Sequence, residues 1–350
     1  MNMRKFLPLC AVFLLSLVLA VSCSRTNPQS IKSNPVPGGL KDASAPIVMG
    51  YSNWAGWWPW AIAEQEGLFK ANGVNVELKW FDSYLESLEA MAAGKLDANC
   101  QTLNDTIAFS SDSVNDQVTV LVNDNSAGND KIIVSQEINT IQDLKDKKVV
   151  LEEGLVADFL LSLALKKNGM SREDIEIINL ETGKAAAVFA SGKADAVGAF
   201  PPFWLTAFKR EGSKELVSSK EFPGAIPDLL VVNQNLIDQR PAQVQALINT
   251  WFAVLNFMKK NPQKAVEIMA KRANVSSEEF QQFQKGVKMF TIKDNLEAFG
   301  TFASRNDLKY MPYAAKGMTN FMLNVGLIQK SPDLDELFND KFVKKYAASS

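Results

Sequence analysis

Short apolar runs alternate with longer segments of helical periodicity along most of this chain. Pro46–Tyr51 is apolar enough for a buried strand, and Pro59 then suits the first turn of a helix, where a missing N–H costs nothing. Residues 75–81 partly alternate and predict a second strand. Residues 84–93, with apolar positions 85, 88, 91 and 92, predict an amphipathic helix capped by Gly94. Further strands are expected at 96–101, 118–122 and 131–134. A fresh unit opens at Thr140 and runs through a strand at 148–151, a helix at 158–168, a strand at 175–178 and a helix at 184–191. The segment Ala92–Asn99 (AAGKLDAN) is echoed by Ala190–Val197 (ASGKADAV), which puts one helix–turn–strand device in each half. Residues 222–227 read as a linker and 228–233 as another strand. From Gln239 onward the pattern is nearly all helical, with Trp251 on an apolar face and expected in the core. Alternating strands and helices of this kind predict an α/β fold in two similar lobes.

The N-terminal pattern differs. Arg4 and Lys5 precede an apolar run from Phe6 to Val21 and the small residue Ser22, which reads as an export signal over 1–22. Ala20-Val21-Ser22-Cys23 resembles a bacterial lipobox, which implies cleavage before Cys23 and lipidation of that cysteine. The resemblance departs at Ala20, where leucine is usual and Leu19 stands one place early. An ordinary cleaved signal or an uncleaved anchor is the alternative. Residues 23–44 are rich in Ser, Pro, Asn and Gly, as a flexible tether is.

Composition narrows the chemistry. The 350 residues include no histidine, so a histidine base, a histidine-containing triad and a histidine metal ligand are all excluded. The cysteines Cys10, Cys23 and Cys100 have no zinc or redox spacing, and Cys100 falls in a predicted strand. The net charge of −2 carries no nucleic-acid footprint. No cofactor or metal is called for.

Four of the seven tryptophans lie between positions 54 and 60, where the first strand turns into the first helix. Ligands of α/β sheets bind at strand carboxyl ends, so these rings are either core or a recognition surface. Trp60 is expected to pack inward with Leu68 and Phe69, whereas Trp54 and either Trp57 or Trp58 are placed to face the cleft.

The stretch AIAEQEGLFKANGVNVEL (61–78), together with TIQDLKDKKVVLEEG (140–154) and AAAVFASGKADAVGAFPPFW (185–204), resembles solute-binding proteins of the nitrate/sulfonate/taurine type of ABC importer. The likeness runs from about Ile47 to Leu327. It implies a two-lobed periplasmic-binding-protein clamp of the Venus-flytrap kind with two crossovers: lobe one from 45–137 and 226–350, lobe two from 138–225. It also implies a monomeric binding component that works with permease and ATPase subunits on the periplasmic side of a bacterial inner membrane or at the cell surface. Pyrimidine synthases of thiamine pathways are similar in fold, but their chemistry consumes a histidine and depends on cysteines that this chain lacks.

Charge then bears on the ligand. Between Asp42 and Asp130 there are thirteen acidic residues against three lysines. Asp82, Asn104-Asp105 and Asp124-Asn125-Ser126 fall at strand carboxyl ends, as Glu152-Glu153 does in the second half. Asp158 lies in the first turn of a helix, where an acid is favoured anyway, and Asp228 borders the linker. Many relatives have Glu-Pro-Trp where this chain has Pro201-Pro202-Phe203, so the wall at Phe203 is expected to be apolar. Tryptophan faces plus carboxylates suit a small cation. The Trp-rich opening most resembles proteins associated with urea- or guanidine-carboxylase systems, which implies guanidinium. Trp54 with Trp57 or Trp58 would be the wall, and Asp82, Asp105 and Glu152 or Glu153 the charge partners. The alternatives are an anion such as a sulfonate, taurine or nitrate, held by Ser52, Asn53, Asn104 and backbone amides, and an adhesive or sensory lipoprotein of the same fold.

Overall fold

The computed structural model describes residues 45–300 and 310–349. The expected signal segment, the tether and Cys23 lie outside the described residues.

Two mixed sheets form the framework. The first contains β1 (Ile47–Tyr51), β2 (Val76–Trp80), β3 (Ala98–Thr102) and β4 (Gln117–Ser126). The second contains β5 (Lys131–Val134), β6 (Lys148–Leu151), β7 (Glu176–Asn179), β8 (Ala196–Ala199) and β9 (Lys214–Ser218). The chain then returns to the first sheet with β10 (Pro227–Asn233) and β11 (Val287–Met289). Spatial order is β11-β4-β10-β3-β1-β2 in one sheet and β7-β6-β8-β5-β9 in the other. β1 pairs in parallel with β2 and β3, and β6 pairs in parallel with β7 and β8. An antiparallel strand flanks each trio, β10 beside β3 and β5 beside β8. The two halves therefore repeat one local topology.

The echoed segments explain how. In each half, a glycine with positive φ ends a helix, Gly94 at 69° and Gly192 at 79°. The next residue's amide bonds back to a carbonyl of the last turn, Lys95 N to Ala90 O and Lys193 N to Val188 O. The aspartate two residues further on then accepts from the parallel strand: Asp97 Oδ2 from Val48 N at 3.0 Å, Asp195 Oδ2 from Lys148 N at 2.9 Å. Each carboxylate thus fixes where the third strand of its trio meets the first.

Strands β3, β4 and β10 are buried along their whole length, as strands covered on both faces are. The edge strand β2 alternates between half-buried and exposed positions. Pro59 occupies the first turn of helix Pro59–Gln65. Trp60 stacks on Phe69 at 5.9 Å and meets Trp251 at 4.8 Å, so both tryptophans belong to the core. Cys100 is a free thiol with no exposure. Three features of the strands depart from expectation. The strand expected to end at Val122 continues through Asn123-Asp124-Asn125-Ser126, whose polar side chains read as loop yet are buried. The strands β9 and β11, one at the edge of each sheet, were not expected.

Two connections join the sheets. The first runs between Ser126 and Lys131, the second between Ser218 and Pro227. By strand pairing the first crossing thus precedes β5, earlier than residue 137. The connections are bonded to one another: Ser126 Oγ lies 2.7 Å from Ser219 Oγ, Gly128 N donates to Ser219 Oγ at 2.7 Å, and Ser219 N donates to Asp130 O at 3.0 Å. Among the described residues, no helix is long and apolar enough to cross a membrane.

Candidate functional site

The chain leaves β1 through Ser52 and Asn53 and turns at once, with Trp57 N and Trp58 N both donating to Trp54 O. This turn aims Trp54 and Trp57 at one place, with ring centres 6.3 Å apart. Tyr84, the first residue of helix Tyr84–Ala92, sits 5.4 Å from Trp57, and Phe200, just past β8, sits 6.5 Å from Trp54. These four rings, with Asn53, Thr102, Asp130, Val156 and Asp228, line a small, tight cavity. Elements attached to both sheets contribute, Val156 and Phe200 from the second and most of the rest from the first. A larger cavity lined by Asn125, Ser219, Lys220, Lys288, Phe290 and Asp294, among others, shares none of these rings.

Around the smaller cavity stand five buried carboxyl groups. Asp105 accepts from Thr102 Oγ1 at 2.7 Å and from Asn104 Nδ2 at 2.6 Å. Asp124 Oδ1 accepts from the Trp54 indole at 3.0 Å, which fixes that ring. Its Oδ2 is pressed by Gly56: a Cβ at position 56 would lie 1.9 Å from it. Glu152 accepts from Thr182 Oγ1 at 2.6 Å. Asp228 and Asp130 line the cavity itself, and Asp130 Oδ2 and both oxygens of Asp228 have no hydrogen-bond partner.

Burial raises every one of these acids. Asp105, Asp124 and Glu152 are pushed up to about 7 and Asp130 to about 6. Asp228 rises well above the ordinary carboxylate range, through burial and then through the neighbouring charges of Asp124 and Asp130. Among the described residues, no lysine or arginine forms an ion pair with any of the five. A buried charge without a partner costs several kcal/mol, so an arriving cation would favour the ionised form. Nor is any group of three or more acids or cysteines among the described residues arranged to hold a metal ion.

The expected site residues divide accordingly. Trp54, Trp57, Asn53 and Asp228 line the cavity, and Asp105, Asn104 and Glu152 are buried beside it. Ser52 is buried too, and its hydroxyl has no partner. Trp58 belongs to the core instead, against Phe280 at 5.7 Å and Phe283 at 6.0 Å, because the helical turn carries it to the opposite side from Trp57. Asp82 is not a buried charge partner: it is exposed, and its carboxylate accepts from the Trp80 indole. Glu153 is likewise exposed and pairs with Arg172 at 3.0 Å, since neighbouring residues past a strand point oppositely. Asp158 is buried, but Arg172 at 2.7 Å and the amide of Gly154 satisfy it, so its role is structural. Phe203 stands behind the wall, packed on Phe200 at 5.5 Å, and it is Phe200 that faces the cavity.

Sequence reasoning missed Tyr84, Thr102, Asp130, Val156 and Phe200 as lining residues. Tyr84 carried one signal, a ring in the first turn of a helix that follows a strand end. Asp130 was hidden inside an acidic stretch that read as solvated.

Known proteins resemble this chain over most of its length. A Brucella abortus protein described as a binding protein is 26% identical over 254 residues, covering 71% of this chain and 78% of that one. The taurine-binding periplasmic protein of Escherichia coli is 24% identical over 193 residues, covering 54% and 59%. The alkanesulfonate-binding protein of Xanthomonas axonopodis pv. citri, solved bound to MOPS, superposes with a TM-score of 0.69 at 16% identity over 85% of this chain and 98% of its own. That structural likeness extends the two-sheet fold described above to a protein of known architecture. The model of the NMT1/THI5-like family matches residues 55–265, and the chain belongs to that family.

Proposed function

We propose that this chain is the ligand-capturing component of an ABC importer and that it takes up a small nitrogen-containing cation, guanidinium fitting best. One observation carries the reading: Asp130 and Asp228 reach an aromatic-lined cavity with carboxylate oxygens that no protein group satisfies. A cation over an indole face gains roughly 0.5–2 kcal/mol, and a planar guanidinium brings N–H donors along every edge for carboxylates to accept. The two lobes, divided at the crossings between Ser126 and Lys131 and between Ser218 and Pro227, would close on it about those paired crossings, as hinged clamps do. Lipidation at Cys23 would hold the protein at the periplasmic side of the inner membrane or at the cell surface, next to permease and ATPase partners. The role is binding and not catalysis.

The binding specificities in the relatives' names favour a second reading, an anion such as taurine, another sulfonate or nitrate, with Ser52, Asn53 and Asn104 as donors. Against it, the cavity wall holds two carboxyl groups and no lysine or arginine. An adhesive lipoprotein would need no such cavity.

Titration calorimetry with guanidinium, urea, nitrate and taurine separates these readings. Guanidinium binding at micromolar strength or tighter, with the others silent, is expected. Heat from nitrate or taurine alone would establish the anion reading, and silence from all four would favour an interaction protein. Asp105→Asn is expected to weaken guanidinium binding; unchanged affinity would remove Asp105 from the set of charge partners.

A further inference from the structure

Asp124 and Asp228 face each other across neighbouring antiparallel strands, in register on β4 and β10. Neither side chain has appreciable exposure, 0% and 1%. Asp124 is held from two sides, by the Trp54 indole on Oδ1 and by the backbone of Gly56 against Oδ2. Asp228 has no donor on either oxygen and opens onto the cavity. The titratable groups that face the pair are Cys100 from β3, Asp105 from helix Leu103–Ser110 and Asp130 from the first crossing. All are acids, and Lys131, beside Asp130 in sequence, is ion-paired with Glu215. Two carboxylates in this position repel each other without relief. Two carboxyl groups with one proton between them form a hydrogen bond.

We propose that Asp124 and Asp228 share one proton in the ligand-free site and that an arriving cation displaces it to solvent. The proton leaves to water as the ligand's N–H groups replace it, so the pair gains one negative charge and the ligand's positive charge neutralises it. Trp54 stays bonded to Asp124 throughout, which keeps its ring at the cavity wall in both states. Capture is thus an exchange of one cation for one proton, and acid favours release. The shift of both groups above the ordinary range accords with this. The inference rests on the cation reading given above.

Titrating guanidinium chloride into the full chain at about pH 6.5, in buffers of different ionisation enthalpy, tests it. The observed heat is expected to change with the buffer, corresponding to release of up to about one proton per ligand bound. Affinity is expected to rise up to roughly tenfold per pH unit while the pair is protonated. Asp228→Asn and Asp124→Asn should each abolish the buffer dependence, while Asp82→Asn, at an exposed position away from the cavity, keeps it. Infrared difference spectra of the unaltered chain provide a measurement that needs no variant: guanidinium should bleach a protonated-carboxyl C=O band and raise a carboxylate band. Buffer-independent heat with clear binding would overturn the exchange and leave the cation reading standing. A buffer dependence that survives Asp228→Asn would overturn the assignment to this pair. If guanidinium produces neither heat nor a spectral change, the cation reading itself fails and the exchange falls with it.

Discussion

Two adjacent tryptophans serve different purposes in this molecule. Trp57 faces Tyr84 across the cavity, whereas Trp58 is wedged against Phe280 and Phe283 with no exposure. Trp57→Ala should weaken guanidinium binding by about 0.5–2 kcal/mol, roughly two- to thirtyfold, in addition to the stability lost by truncating a buried ring. Trp58→Ala should cost stability alone, about 3–5 kcal/mol, with affinity retained in whatever remains folded. Calorimetry and denaturant unfolding on both variants check the pair, and equal affinity losses would show that the two rings are not divided between site and core. The sequence pointed Trp54 toward the cleft and left Trp57 and Trp58 open, because residues one apart on a helical turn diverge by an angle that periodicity alone does not anchor to a cleft. Glu152 and Glu153 were undecidable for a similar reason. Which of two neighbours past a strand turns inward depends on what packs opposite, and here Thr182 draws Glu152 in while Arg172 draws Glu153 out.

At the level of elements, the repeated helix–turn–strand device was legible in the sequence because it is local. Glycine, one residue, a spacer and aspartate are enough to cap a helix and start a strand. What the spacing did not reveal is the reach of the aspartate, which bonds a strand far away in sequence. Asp97 is buried and Asp195 half-buried, so the two should differ in cost. Asp97→Ala leaves the Val48 amide short of an acceptor inside the protein and is expected to cost about 1–3 kcal/mol. Asp195→Ala, with water closer at hand, should cost less. Urea unfolding of both variants measures the order, and a larger cost at Asp195 would overturn it. The polar end of β4 was illegible for the opposite reason. Asn123 to Ser126 carry the composition of a loop, and only their burial between β10 and β11 makes them strand.

For the whole molecule, five buried acids without cations make the ligand-free state sensitive to pH. Each has a folded-state value above its ordinary one, for instance Asp105 at about 7 against 3.8. The folded state therefore binds protons more tightly than the unfolded chain. Stability from these groups is fully present below the unfolded value and is lost as pH rises through the folded one. The Tm of the ligand-free protein is expected to fall as pH rises from about 4 through about 7, and saturating guanidinium should restore most of the loss at the upper end. Thermal melts across that range check it; a ligand-free Tm that climbs toward neutrality would show the carboxyl groups compensated by something else. The α/β class was readable because strand and helix periods alternate cleanly, whereas the two crossings were expected from the family resemblance alone. The assembly of the site was not, because its walls come from both sheets and no local pattern records that meeting.

Gly56 has a consequence for how such a site is recognised in other chains. Its backbone conformation does not demand glycine, yet any side chain there would occupy the place of the Asp124 carboxylate. Positions 54, 56, 124 and 228 are therefore a single word spelled across distant parts of the chain: an indole, a vacancy and two acids. A relative that spells all four letters has the means to build the same acid pair. One with a side chain in place of Gly56 must have moved or lost the carboxylate, and its ligand should be sought in a different chemical class.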